Sequence, residues 1–282
     1  MASTSIGIIG GNGKFGALIR TILKKNSVYP LISDLETELS NTELVQKVNI
    51  VIIAAPIDKT IGIIQEISPY LKNHHVVIDI TSIKSPIIRE LQNTEADIVS
   101  VHPMFGPSID DLKNQTVILI PVRDRNNWQR DICKFCEREG VKIKISTPEK
   151  HDKMMSLIQV LIHYNTISIG ITMSKLGFDI KETLEYTSPI YRMELAMIGR
   201  IFAQDPKLYG NIPMYNENTP EVLMEHKMTL EQMSKIIITK NIEDFITLFR
   251  KASTFFDGFK EQAMRESNHL IRKLGSIMGI QD

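Results

Sequence analysis

A change of periodicity partway along the chain constrains its fold more than any other feature. Up to about residue 147, short apolar runs alternate with helical stretches. Ile6–Ile9, Leu31–Ser33, Ile50–Ala54, Val76–Ile80, Ile98–Val101, Val117–Ile120 and Val141–Ile145 read as strands. Lys14–Lys25, Lys59–Leu71 and Asn127–Glu139 read as helices between them. Strands that alternate with helices build a largely parallel sheet covered on both faces. Pro30 cannot donate to a sheet ladder, so the second strand should start after it. Beyond Ser146 the strand pattern stops. Thr147 reads as an N-cap with Pro148 in the first helical position. Methionine and leucine then recur at helical spacing in His151–Ile169, Leu223–Lys240 and Phe245–Gly258. The chain of 282 residues is long enough for two cores. The expected architecture is an α/β domain over residues 1–147 and an all-helical domain over 148–282.

The first turn of the α/β part carries a ligand signature. Gly11-Asn-Gly-Lys-Phe-Gly16 is G-x-G-x-x-G, placed between a strand and a helix, as in a Rossmann-type dinucleotide-binding domain. Gly11 should allow the tight turn, Gly13 the approach of a pyrophosphate and Gly16 close helix–strand packing. Lys14 and Phe15, at the start of the following helix, fall inside the same motif and are expected to contact the cofactor. Asp34, 23 residues after Gly11, stands where an acid bonds a ribose 2′-hydroxyl, and no Lys or Arg follows it closely. A 2′-phosphate would be repelled there, so the expected cofactor is NAD. Ala55 and Pro56, after the third strand, should flank the same nucleotide.

Bulk properties exclude other classes. Lys plus Arg and Asp plus Glu each number 33, giving zero net charge, so a nucleic-acid partner is not expected. Met1-Ala-Ser-Thr-Ser-Ile6 does not read as a secretory leader, and the apolar run near Ile50–Ile57 is too short to span a bilayer. A cytoplasmic protein without a membrane partner is expected. Cys133-Lys-Phe-Cys136 has redox spacing but falls late in a helix, and it reads as two helical thiols. No histidine and carboxylate set has metal-ligand spacing.

Chemistry should sit beyond the carboxyl ends of the strands. His102, in Val101-His-Pro-Met-Phe-Gly-Pro107, follows the fifth strand there. Ser82, in Thr81-Ser-Ile-Lys84, could orient its ring, and Lys84 could add positive potential for an anion. An imidazole suits proton transfer during hydride transfer. Downstream, Ser188-Pro-Ile-Tyr-Arg192 opens a helix expected to end near Asp205. Arg192 and Arg200 lie eight residues apart on it, within roughly 80° of one another. Its apolar neighbours leave little room for solvated arginines, and Ala196, Gly199 and Ala203 make a narrow face for close packing. His151 and His163 fall on the first helix of the second domain, about 120° apart. His163 sits in an apolar run, where a core role competes with a ligand role. His74, His75, His226 and His269 have no supporting context.

The dinucleotide fingerprint, His102-Pro-Met-Phe-Gly-Pro107, and Ser188–Arg192 through Ala203-Gln-Asp-Pro206 together resemble prephenate dehydrogenase of tyrosine biosynthesis. The likeness is greatest to the dehydrogenase half of the bifunctional chorismate mutase–prephenate dehydrogenases, and runs from Ile6 to about Arg272. It implies NAD-dependent oxidative decarboxylation of prephenate to 4-hydroxyphenylpyruvate. His102 matches the catalytic histidine, and Ser82 matches the serine that positions it and the substrate. Arg200 matches an arginine for a substrate carboxylate, with Arg192 shaping or charging the pocket. His163 matches a ligand-binding histidine, and His151 one nearer the cofactor. Ile162 stands where an arginine is expected in mutase-fused relatives, so the resemblance does not imply their feedback behaviour for this chain. The helical domain is implied to form a homodimer, with the active site in the cleft between domains. Arogenate dehydrogenase is the nearest alternative. A β-hydroxyacid dehydrogenase would need a catalytic lysine where this chain has His163, and an NAD sensor would have no use for His102 beside Ser82.

Overall fold

In the computed structural model residues 5–278 are described. Residues 1–4, on which much of the leader reading rests, lie outside that range, as do 279–282. The chain divides into two units. One comprises residues up to Ser156 together with Gly210–Asn218; the other comprises Leu157–Tyr209 and the chain from Thr219 onward.

The first unit is built on a seven-stranded sheet. Its strands are β1 (Ile6–Ile9), β2 (Leu31–Ser33), β3 (Ile50–Ile53), β4 (Val76–Asp79), β5 (Asp97–Pro103), β6 (Thr116–Arg123) and β7 (Lys142–Ile145), in the order β2-β1-β3-β4-β5-β6-β7. All neighbours run parallel except β5 and β6, which are antiparallel with His102 opposite Ile118. The strand order reverses between β1 and β3, which opens a crevice at their carboxyl ends. Helices α1 (Lys14–Lys25), α2 (Asn41–Lys47), α3 (Ile57–Ile67), α4 (Ser85–Leu91), α5 (Trp128–Arg138) and α6 (Pro148–Met155) complete the unit.

Strand alternation sends neighbouring side chains to opposite faces, and both faces are apolar because both are covered. Ile9, Val51, Ile53 and Val77 pack with Leu44, Val45, Ile64, Ile67, Ile87 and Leu91 from α2, α3 and α4. Ile8, Ile50, Ile52 and Val76 face the other way, toward Ile19 and Leu23 of α1 and Trp128 and Ile132 of α5. Thr147 caps α6 by accepting the Lys150 N–H, with Pro148 first in the helix. Both cysteines lie in α5; Cys136 is buried and Cys133 half-buried, and burial pushes the Cys136 thiol up to about 11.

The second unit contains only helices among its described residues: α7 (Ile162–Leu176), α8 (Ile180–Glu185), α9 (Pro189–Phe202), α11 (Thr219–Ile238), α12 (Ile242–Phe255) and α13 (Lys260–Met278). Helix α10 (Pro206–Tyr215) begins there and ends in the first unit. α9 stops at Phe202, earlier than expected, because Pro206 starts a new helix rather than merely ending the old one. It packs on α7 and α13. The close approach is made by Gly170 of α7, where an added Cβ would lie 2.2 Å from the Phe202 ring. Gly199, at the centre of the expected small face of α9, makes no such approach: nothing lies within 4 Å of its missing Cβ.

Helix α6, a π-wound stretch over Ser156–Leu161 and α7 form one continuous helix, Pro148–Leu176. By length and composition alone it could cross a membrane. The segment does not stand out as an apolar run in the sequence, because polar residues punctuate it.

Candidate active site

The Gly-rich turn joins β1 to α1 at the crevice. The backbone requirement falls on Gly10, not Gly11: Gly10 has φ +80°, and a Cβ there would meet the Ala54 carbonyl at 2.7 Å. Gly11 is needed for space, because a Cβ would meet Ile32 at 2.7 Å. Gly16 meets its expectation of close packing, with a missing Cβ only 2.2 Å from the Gly10 oxygen. Gly13 is the N-cap of α1, and no acidic side chain occupies the first turn, so its amide groups remain suited to a phosphate. Lys14 is exposed and Phe15 half-buried. Asp34 stands beyond β2 and is tied to the turn by the Asn12 N–H, donated to Oδ2 at 2.8 Å. The Leu35 N–H satisfies Oδ1, also at 2.8 Å. Ala55 and Pro56 follow β3, and Pro56 is the N-cap of α3. A Cβ-free cradle with an uncapped helix start and a carboxylate at its edge fits a dinucleotide.

Phe15 stacks on Phe105, with ring centroids 6.1 Å apart. That contact joins the nucleotide turn to the loop that follows β5, the strand that carries His102. His102 is 3% exposed near the carboxyl end of β5, on the strand face shared with Ser100. Its Nδ1 lies 2.8 Å from Nε2 of His151, on α6. His151 Nδ1 in turn lies 2.8 Å from Oδ1 of Asp152. Asp152 accepts the backbone N–H groups of Lys84 at 2.9 Å and Ser85 at 2.7 Å. Burial, then the nearby Lys84 cation, holds the His102 ring well below its ordinary pKa. Burial likewise lowers His151, against the pull of Asp152. Burial opposes ionisation of Asp152, but the hydrogen bonds from His151, Ser85 and Lys84 outweigh it and hold the carboxyl below its usual range.

Two expectations change here. His151 belongs to the sheet-bearing unit and bonds His102, whereas it was expected on the first helix of the second domain, about 120° around that helix from His163. The π-wound turn between them breaks the α-helical register on which that spacing relied. Lys84 presents no charge to a ligand. It is wholly buried, and its Nζ donates to Asp79 Oδ2 at 2.7 Å and to the Val101 carbonyl at 2.8 Å. Asp79 is closed off as well, accepting the Ser100 hydroxyl at 2.6 Å and the Thr81 N–H at 2.9 Å. Ser82 is half-buried on the loop this pair anchors. His75 is structural: its Nδ1 accepts the Lys72 N–H and its Nε2 bonds the Val45 carbonyl.

In the second unit Arg192 and Arg200 lie on α9, half-buried and exposed respectively. Among the described residues neither guanidinium joins an ion pair. The packed surroundings expected for them are absent from the single chain, since α9 has no buried residue and Met197 and Phe202 are more than half exposed. His163 on α7 meets Tyr209 edge to face at 4.8 Å, with its Nδ1 buried and unpartnered. Gly10, Phe105 and Asp152 are the contributors that sequence reading missed. Only Asp152 had a visible signal, as an acid beside a histidine at the start of a capped helix.

Comparison with known proteins agrees across both units. The family model described as prephenate dehydrogenase, nucleotide-binding domain, matches residues 27–145. That described as prephenate dehydrogenase, dimerization domain, matches residues 147–251. A probable arogenate/prephenate dehydrogenase from Methanocaldococcus jannaschii is 32% identical, over 98% of this chain and 68% of that protein. A T-protein from Haemophilus influenzae is also 32% identical, over 96% of this chain and 72% of its own length. The fold is shared with the A. aeolicus prephenate dehydrogenase solved with hydroxyphenyl propionate and NAD+, at a TM-score of 0.70 and 18% identity, covering 90% of this chain and 97% of that one.

Proposed function

The chain belongs to the prephenate dehydrogenase family, and from that premise we propose that it oxidatively decarboxylates prephenate to 4-hydroxyphenylpyruvate with NAD. The observation that carries the reading is His102: a buried imidazole at the ligand edge of the sheet, joined to the nucleotide turn through Phe105 and Phe15. The division of labour follows the sequence halves, with residues 1–147 binding the nucleotide and 148–282 serving substrate and dimer; the bounds of the two family models support it.

NAD supplies the hydride acceptor when bound. Gly11, Gly13, Lys14, Phe15 and Gly16 hold its phosphates, Asp34 its ribose, and Ala55 and Pro56 flank it. Asp34 excludes a 2′-phosphate by charge. His102 accepts the hydrogen bond of the ring hydroxyl and takes its proton as the carbon–oxygen double bond develops. When the ring carboxylate leaves as CO2, the electrons released reach that oxygen, which recovers the proton as the ring becomes aromatic. Aromatisation drives the step, so the protein needs chiefly orientation, a base and fixed charge. Ser82 positions His102 and substrate. Arg200 pairs with a carboxylate, while Arg192 and His163 complete the substrate contacts.

The protein is read as a cytoplasmic homodimer. The match to a dimerization domain supports the dimer, as do the exposed apolar side chains of the helical unit, among them Ile238, Phe249 and Phe255. The apolar helix Pro148–Leu176 begins among buried residues of the sheet-bearing unit, His151, Asp152 and Met155, which favours a protein partner over a bilayer.

Absorbance at the NADH band tests the reaction, with purified protein, NAD or NADP, and prephenate or arogenate. NADH formation from prephenate with NAD is expected. Turnover of arogenate alone overturns the substrate, and equal use of NADP overturns the role of Asp34. His102→Asn should lower kcat by about 10²–10⁴-fold while NAD affinity holds.

A further inference from the structure

We propose that Asp152 and His151 are positioning residues that set the tautomer of His102, so that its Nε2 is the proton-accepting atom. The inference rests on His102 being the base, as read above. Its argument is one of donors and acceptors. An ionised carboxylate only accepts, so Asp152 Oδ1 at 2.8 Å requires a proton on His151 Nδ1. A neutral imidazole carries one ring proton, which leaves His151 Nε2 as an acceptor. The 2.8 Å contact with His102 Nδ1 is then satisfied only when His102 donates from Nδ1. Its own single proton is thereby committed, and Nε2 keeps its lone pair.

Each link is anchored. Asp152 cannot turn away, because backbone N–H groups of Lys84 and Ser85 hold its two oxygens. Asn216 Nδ2 fixes the Asp152 carbonyl at 2.8 Å. His151 and His102 are 1% and 3% exposed, so water does not compete for their bonds. The neutral state of both rings has independent support: burial and the buried Lys84 cation each disfavour an imidazolium there. A charged His151 would reverse the polarity of the chain, donating to His102 Nδ1 and moving the His102 proton onto Nε2. The two-histidine relay therefore works only when the ring nearer the carboxylate stays neutral.

Ring-nitrogen NMR of the full-length, substrate-free protein labelled with 15N-histidine tests this at neutral pH, with the His102 signals identified by their loss in His102→Asn. The expected result is a protonated Nδ1 and an unprotonated Nε2. In Asp152→Asn the side-chain amide can donate to His151 Nδ1, so the His102 tautomer should reverse and kcat should fall about a hundredfold or more, with NAD affinity unchanged. A protonated Nε2 in the unaltered protein overturns the proposal, as does an unchanged tautomer in Asp152→Asn. A second pair covers loss of folding in that variant. His151→Gln keeps an acceptor for His102 Nδ1 and should retain at least about tenfold more kcat than His151→Leu; equal losses overturn the relay. Because the tautomer is read without substrate, failure to turn over prephenate counts against the reaction and not against the relay.

Discussion

Lys84 shows how one side chain can reverse its apparent meaning on folding. Beside Ser82 in sequence it looks like an anion site; in the structure it is the largest fully buried side chain, paired to Asp79 with both exposures at 0%. A lone charge in that position is costly, so Lys84→Met should destabilise the protein by about 3–5 kcal/mol, read by denaturant unfolding. A loss below about 1 kcal/mol would mean that Asp79 finds other compensation. Asp34 has the opposite character, half-exposed and placed by the turn it bonds. Asp34→Asn should narrow the preference for NAD over NADP on the order of tenfold or more in kcat/KM, because a charge-assisted bond and a repulsion are removed together. Neither Lys84's burial nor Asp152's bonds could be read from spacing, because their partners lie up to 68 residues away.

At the scale of elements, local rules did most of the work. Strands β1 and β2 and helix α1 fall where alternation, Pro30 and the Gly-rich turn place them. Two short helices, α2 and α4, were not distinguished, since seven residues carry too little periodicity. α2 is nonetheless marked by a capping box from Ser40 and Glu43. The turn and α1 act as one unit because Gly16 lets the helix lie against Gly10. Gly16→Ala must push backbone from backbone, so NAD affinity should fall at least about tenfold, with a stability loss of about 1–3 kcal/mol. Fluorescence titration and thermal unfolding separate the two; an unchanged affinity would remove the turn from the cofactor site.

Across the whole molecule, histidines whose burial disfavours the charged ring couple stability to pH, His75, His102 and His151 buried and His163 half-buried. His75, His102, His151 and His163 all have ring pKa values lowered, with burial the first cause in each. Below about pH 6.5 the unfolded chain takes up protons that these folded rings refuse, so the unfolded state binds more protons and stability falls with pH. The melting temperature should therefore drop between about pH 7.5 and 5.5, before most carboxylates titrate. Asp152 acts in the other window: its contribution is present above its ordinary value of 3.8 and is lost below it. A flat melting temperature through the first window would show that the rings are protonated in the folded state. The alternation of strands and helices, the nucleotide turn and the change to helices after Ser146 were all legible in sequence, because each follows from near neighbours along the backbone. The burial of Lys84, the move of His151 into the sheet-bearing unit and the Asp152–His151–His102 chain were decided only by tertiary structure. They depend on hydrogen bonds that reach as far as 68 residues along the chain, and on the burial that determines which of those groups can hold a charge.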